Sequence, residues 1–174
     1  FKLALSAITA QIINVLYNMV DRMYIGHIPV IGSQALTGVG VTMPAIMIIS
    51  AFASLVSMGG APRAAIMMGK KKQDEAERIL GVCFAALIVV AVILTAFFLA
   101  FGRDILMVFG ASEATIGYAV EYMNIYTMGT LFVQMALGMN AFITTQGFAK
   151  TSMLTVLIGA ICNIILDPVF MFGF

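Results

Sequence analysis

Charged side chains are scarce in this sequence. Of 174 residues only 10% are Asp, Glu, Lys or Arg, tryptophan is absent, histidine occurs once and proline four times. An ordinary soluble domain is about 25% charged, so this supply excludes a water-soluble globule of normal composition. The nine basic residues are spread along the ends of apolar runs and form no patch interleaved with aromatics, which argues against nucleic acid as a partner. The two cysteines, Cys83 and Cys162, both lie inside apolar runs, which points to buried thiols and not to a disulfide. Catalytic signatures are missing too. There is no phosphate-binding glycine loop, no HExxH and no Cys/His group at metal-ligand spacing, so no enzyme is expected.

What is present is apolar surface: 62% hydrophobic residues and a mean hydropathy of +1.08. The fold class expected is all-α, a polytopic membrane helical bundle of about five spans near 3–25, 35–62, 79–102, 122–149 and 151–174. Each holds roughly 20 residues or more, enough for a hydrocarbon core of about 30 Å at 1.5 Å per residue. Lys2, Arg63, Lys70, Lys71, Lys72, Arg78 and Lys150 fall on one side of such a bundle and only Arg22 and Arg103 on the other. The positive side is expected to be cytoplasmic, with the N-terminus there. The chain begins without an initiator Met and stops in or just after an apolar segment, so a fragment is expected. The first apolar run carries Gln11, Asn14, Asn18 and Asp21 with no small-residue cleavage pattern, unlike a signal peptide.

Between spans two and three, MGGAPRAAIMMGKKKQDEAERI reads as an interfacial helix with a solvated basic cluster. His27 beside Pro29 reads as a solvated interfacial imidazole, and the fourteen Met residues as adaptable packing.

Polar residues inside the apolar runs are the candidates for function. In TSMLTVLIGAICNIILDPVFMFGF, Asn163 and Asp167 lie four residues apart and share one helical face. A carboxylate at mid-bilayer costs at least about 2.5–3.5 kcal/mol on insertion scales, so Asp167 is expected to face protein or water. Pro168 follows it directly, removing one backbone donor. In the first span Gln11, Asn14, Asn18 and Asp21 fall at steps of three, four and three, one stripe of a helix. Tyr122, Tyr126, Gly129, Val133, Ala136, Asn140 and Thr144 form a second stripe, and Gln134 points elsewhere. Two acids and several amides facing one interior suit a proton or Na⁺, a hard cation that takes oxygen ligands. A catalytic pair of intramembrane acids would want a GxGD sequence, whereas the second acid here sits in NIILDP.

YNMVDRMYIGHIPVIGSQALTGVGVTMP, SMGGAPRAAIMMGKKKQDEAERILG, TTQGFAKTSML and NIILDPVFMFGF, in that order, resemble the N-terminal lobe of the multidrug and toxic compound extrusion (MATE) family, most of all its bacterial DinF/MepA-like branch. The resemblance covers nearly the whole chain. It implies twelve helices in two six-helix lobes that rock between inward-open and outward-open states, of which residues 1–174 would hold five spans of the first lobe. It also implies that Asp21, Asn163 and Asp167, with Asn140 and Tyr122, form a cation-coupling site. Asn14, Asn18, Tyr126 and Thr144 are candidate cavity-lining residues. The first span lacks the proline that some members carry, so a proline-kink mechanism does not transfer. The function implied is a multidrug antiporter of a bacterial inner membrane. It would be coupled to H⁺ or Na⁺ with no further cofactor, its partners being small-molecule drugs, the lipid bilayer and the C-terminal half of the same transporter. Two alternatives stay open: a lipid-linked oligosaccharide flippase of related layout, and a membrane scaffold whose acids only hold helices together.

Overall fold

The computed structural model describes the backbone of residues 2–28 and 32–172 and the side chains of 8–28, 32–166 and 169. Among the described residues six helices follow one another: α1 (Lys2–Gly26), α2 (Gly32–Gly69), α3 (Gln73–Val108), α4 (Ile116–Met128), α5 (Thr130–Thr145) and α6 (Ala149–Phe172). No strand occurs among the described residues. The chain divides into two compact units, Phe1–Thr37 with Phe148–Phe174, and Gly38–Gly147.

In the first unit α1 packs along α6. The start of α2 lies against the end of α1: the Gly32 amide donates to Ile28 O at 3.0 Å, and a Cβ on Gly32 would lie 2.7 Å from Gly26 O. Away from α6, α1 turns Ile12, Val15, Leu16, Met19 and Met23 outward, each 53–59% exposed. Such a face is stable only against lipid or further apolar helices.

In the second unit α3 packs on α4 and α5, and α2 joins them through small residues. Ala45 and Ile49 of α2 enter a core with Leu94, Phe98 and Leu106 of α3 and Ile116, Ala119 and Met123 of α4. Ala61 and Ala64 meet Phe142 of α5. Lipid tails are as apolar as these side chains, so the packing gain comes from backbones that small residues let approach. A Cβ at Gly60 would land on the Cys83 sulfur and 2.9 Å from Phe142 Cζ, and one at Gly138 would land on the Leu87 side chain.

Among the described residues three helices are long and apolar enough to cross a membrane: Gly32–Gly69, Gln73–Val108 and, in α6, Ala149–Leu166. The fourth span, expected over 122–149, lies across two shorter helices, the first beginning at Ile116 and the two parting at Gly129. The connector expected as a separate interfacial helix also differs. Helix α2 runs unbroken through Pro44 and Pro62 to Gly69, and α3 starts at Gln73. At 1.5 Å per residue α2 and α3 are roughly 57 and 54 Å long, well beyond an apolar core of about 30 Å. Both therefore continue past the hydrocarbon, and the basic cluster rides on their ends. Asp74 and Glu75 occupy the first turn of α3, where the helix dipole favours acids. Lys72 Nζ pairs with Glu75 Oε1 at 2.8 Å, an exposed pair that adds little stability.

Candidate functional site

The residues singled out in sequence divide between the two units. Asp21 on α1 and Asn163 on α6 belong to the first, on the two helices that pack together. Both are half-buried, both are engaged by another group, and Asn163 Oδ1 is sealed from solvent. The backbone of Asp167 continues α6 one turn beyond Asn163, while its side chain and that of Pro168 lie outside the described residues. Within the α1 stripe, Asn14 is half-buried and Gln11 and Asn18 are exposed. Asn18 Nδ2 donates to Asn14 O at 2.7 Å, so this amide is turned back on its own helix.

The second unit holds Tyr122, Tyr126, Asn140 and Thr144. The rings of Tyr122 and Tyr126 stack, centroids 6.5 Å apart and planes inclined at 22°. Asn140 Oδ1 is buried with no hydrogen-bond partner among the described residues, and Thr144 Oγ1 donates to Asn140 O at 3.1 Å. Tyr122 and Asn140 are 18 residues apart across the Gly129 break, a helical rise of roughly 27 Å. Along an unbent helical path these two would be too far apart to ligate one ion together.

Sequence reasoning passed over a buried polar seam. Gln134 is fully buried, and its Nε2 donates at 2.7 Å to Ile49 O of α2, 85 residues away. Thr95 Oγ1 of α3 donates at 3.2 Å to Thr127 O, just before the Gly129 break. Gln134 was visible as the lone amide of TLFVQMAL. Its partner, a backbone carbonyl on another helix, leaves no mark in a sequence.

Cavities open on the second unit, among them two between α2 and α3. The larger, about 700 Å³, lies between α2 and α3 under Phe52, Phe97, Phe98 and Phe101, with Asp104 as its single charged lining residue. Phe97 meets Phe98 edge-on at 5.3 Å. It offers shape for an apolar body but no amides or hydroxyls to ligate an ion. The smaller, about 420 Å³, lies nearer the charged ends of the same helices and is lined by Arg63 and Arg78.

Comparison with known proteins adds the wider context. The multidrug export protein MepA of Staphylococcus haemolyticus is 25% identical over 170 residues, which are 98% of this chain and 37% of the relative. The chain thus spans little more than a third of that protein's length. A solved MATE structure in the straight conformation superposes with a TM-score of 0.89 at 22% identity, over 99% of this chain and 38% of the other. A MOP superfamily transporter from Pyrococcus furiosus Vc1, described as having a binding pocket of reverse polarity that suggests a different function, matches equally well, with TM-score 0.89, 22% identity, and coverage of 98% and 37%. These two structures share the fold. The relatives are transporters, not enzymes, and with three membrane-length apolar helices the chain is a multi-pass membrane protein. A family model, MatE, matches residues 6–169, nearly the whole sequence, and the chain belongs to that family.

Proposed function

We propose that this chain is the larger part of the first lobe of a two-lobe multidrug exporter, driven by inward flow of H⁺ or Na⁺. The observation that carries the reading is the packing of α1 on α6, which brings the helix bearing Asp21 against the helix bearing Asn163 and Asp167. Carboxylate and amide oxygens from two helices suit a hard cation, and a desolvated carboxylate is one whose protonation comes within reach. A cation taken up by these residues neutralises the acids and biases the lobe toward the conformation that releases drug, so export is tied to uptake through differential affinity for two states. Each elementary charge moved across 100 mV supplies about 2.3 kcal/mol. The substrates fitting this reading are amphipathic and often cationic drugs, and the setting is a bacterial inner membrane with the basic ends of α2 and α3 on the cytoplasmic side.

The test uses the intact protein in vesicles with either a pH or a Na⁺ gradient imposed. Asp21→Asn and Asp167→Asn should each remove gradient-driven drug efflux while leaving expression and membrane insertion at the wild-type level. Efflux retained by both variants would refute cation coupling through this helix pair. The Pyrococcus furiosus transporter, with its fold match and its pocket described as of reverse polarity, favours keeping one second reading in the same assay: an exporter of anionic substrates, recognised by acidic substrates competing with cationic drugs.

A further inference from the structure

We propose that the slot between α2 and α3 at their charged ends is a binding site for an anionic phospholipid, its phosphate held between Arg63 and Arg78. These arginines come from different helices and line one cavity of about 420 Å³. The one ion pair among the described side chains is Lys72–Glu75, so neither guanidinium is matched by a carboxylate there. Two guanidiniums facing one space repel each other until an anion enters, and the planar fork of arginine suits phosphate oxygens two at a time.

The rest of the slot says which anion. Leu55 and Val56 lie seven or eight residues before Arg63 on α2, roughly 11–12 Å further into the helix. Val82, four residues after Arg78, lies in the same inward direction on α3. The cavity is therefore cationic where the helices leave the apolar layer and hydrocarbon-lined below. That is the polarity of a lipid whose headgroup sits at the rim and whose tails run down the groove. Leu55 and Val82 are 70% and 63% exposed, so the wall is open to acyl chains from the side. A Cβ at Gly59, which lines the slot, would meet nothing within 4 Å, so there is room there for a ligand, while Gly60 one residue on holds α2 and α3 in close approach. Free phosphate would use the arginines but gain nothing from the apolar wall. Basic pockets between membrane helices are general sites for anionic headgroups. The proposal concerns the lipid partner alone and stands or falls independently of which solute is exported.

The experiment is lipid retention by the intact protein, measured by native mass spectrometry at matched concentrations of phosphatidylglycerol and phosphatidylcholine, with inorganic phosphate as competitor. Wild type is expected to retain phosphatidylglycerol over phosphatidylcholine by about fivefold for each arginine engaged. Arg63→Gln with Arg78→Gln should bring the ratio near one. Gly59→Leu, which keeps both charges but fills the slot, should lower it as well, and this variant decides the matter if the double arginine variant does not fold. Equal retention of the two lipids by wild type, an unchanged ratio in Gly59→Leu, or displacement of phosphatidylglycerol by millimolar inorganic phosphate would each overturn the assignment.

Discussion

Gly138 sets the distance between α5 and α3 by having no side chain. A methyl group there would already sit on Leu87, which is itself fully buried. Overpacking of this kind costs about 1–3 kcal/mol, so Gly138→Val should lower the thermal midpoint of the detergent-solubilised protein by that measure. Leu87→Ala in the same chain should recover part of the loss, and strictly additive losses would show that the two positions do not meet. Legibility in sequence ran the other way at this scale. The acids and amides of α1 and α6 stand out because polar groups in apolar runs are rare, and their spacing assigns a face. A glycine that matters only because a leucine 51 positions earlier faces it gives no such signal. The same holds for Gln134, noticeable as an amide but meaningful only beside Ile49 O.

Helix ends show a pattern that composition alone missed. After α3, Gly110 takes φ +101° while its amide donates to Met107 O and the next amide to Leu106 O. After α2, Lys71 occupies the equivalent place with φ 59°, donating to Met68 O, and Lys72 donates to Met67 O. This left-handed stop favours glycine. A non-glycine residue loses about 1–2 kcal/mol there, of which glycine's greater freedom in the unfolded chain returns a part. Lys71→Gly should therefore raise stability by about 0.5–1 kcal/mol and Gly110→Ala lower it by about 1 kcal/mol, opposite signs from one geometry, both read as shifts in thermal midpoint. Helix identity was legible throughout, boundaries less so. Pro44 and Pro62 do not end α2, because in a membrane bundle neighbouring groups can satisfy the carbonyls that proline frees. Gly129 does divide the fourth span, where Thr130 Oγ1 donates at 3.4 Å to Tyr126 O and the backbone leaves the regular ladder. A stripe drawn from Tyr122 to Thr144 assumes one straight helix and cannot register that break.

At the scale of the whole molecule, the residues named for the coupling site divide between the two units. Tyr122 and Asn140 are separated by a rise of roughly 27 Å along α4 and α5. Tyr122→Phe and Asn140→Ala should then change drug efflux independently, their effects adding within about 0.3–0.5 kcal/mol, whereas Asp21→Asn and Asn163→Ala, on helices that touch, should not add. The measurement is the efflux rate constant of single and double variants. A strongly coupled Tyr122 and Asn140 would mean that the bend at Gly129 brings the two ends together. Membership of the family was legible from four short runs taken in order. The pairing of the first helix with α6 came only with that resemblance, since no local pattern reports which of several apolar helices will touch. That pairing bears on how the chain is made. Between Gly26 and Ala149 lie 122 residues, and at ribosomal speeds of about 5–20 residues per second the segment holding Asp21 leaves the ribosome roughly 6–24 s before its partner is synthesised. Throughout that interval the newborn carboxylate must be sheltered by the insertion machinery or by retained water, which makes the early phase of biogenesis, and not the finished lobe, the stage at which an Asp21 substitution would relieve a burden.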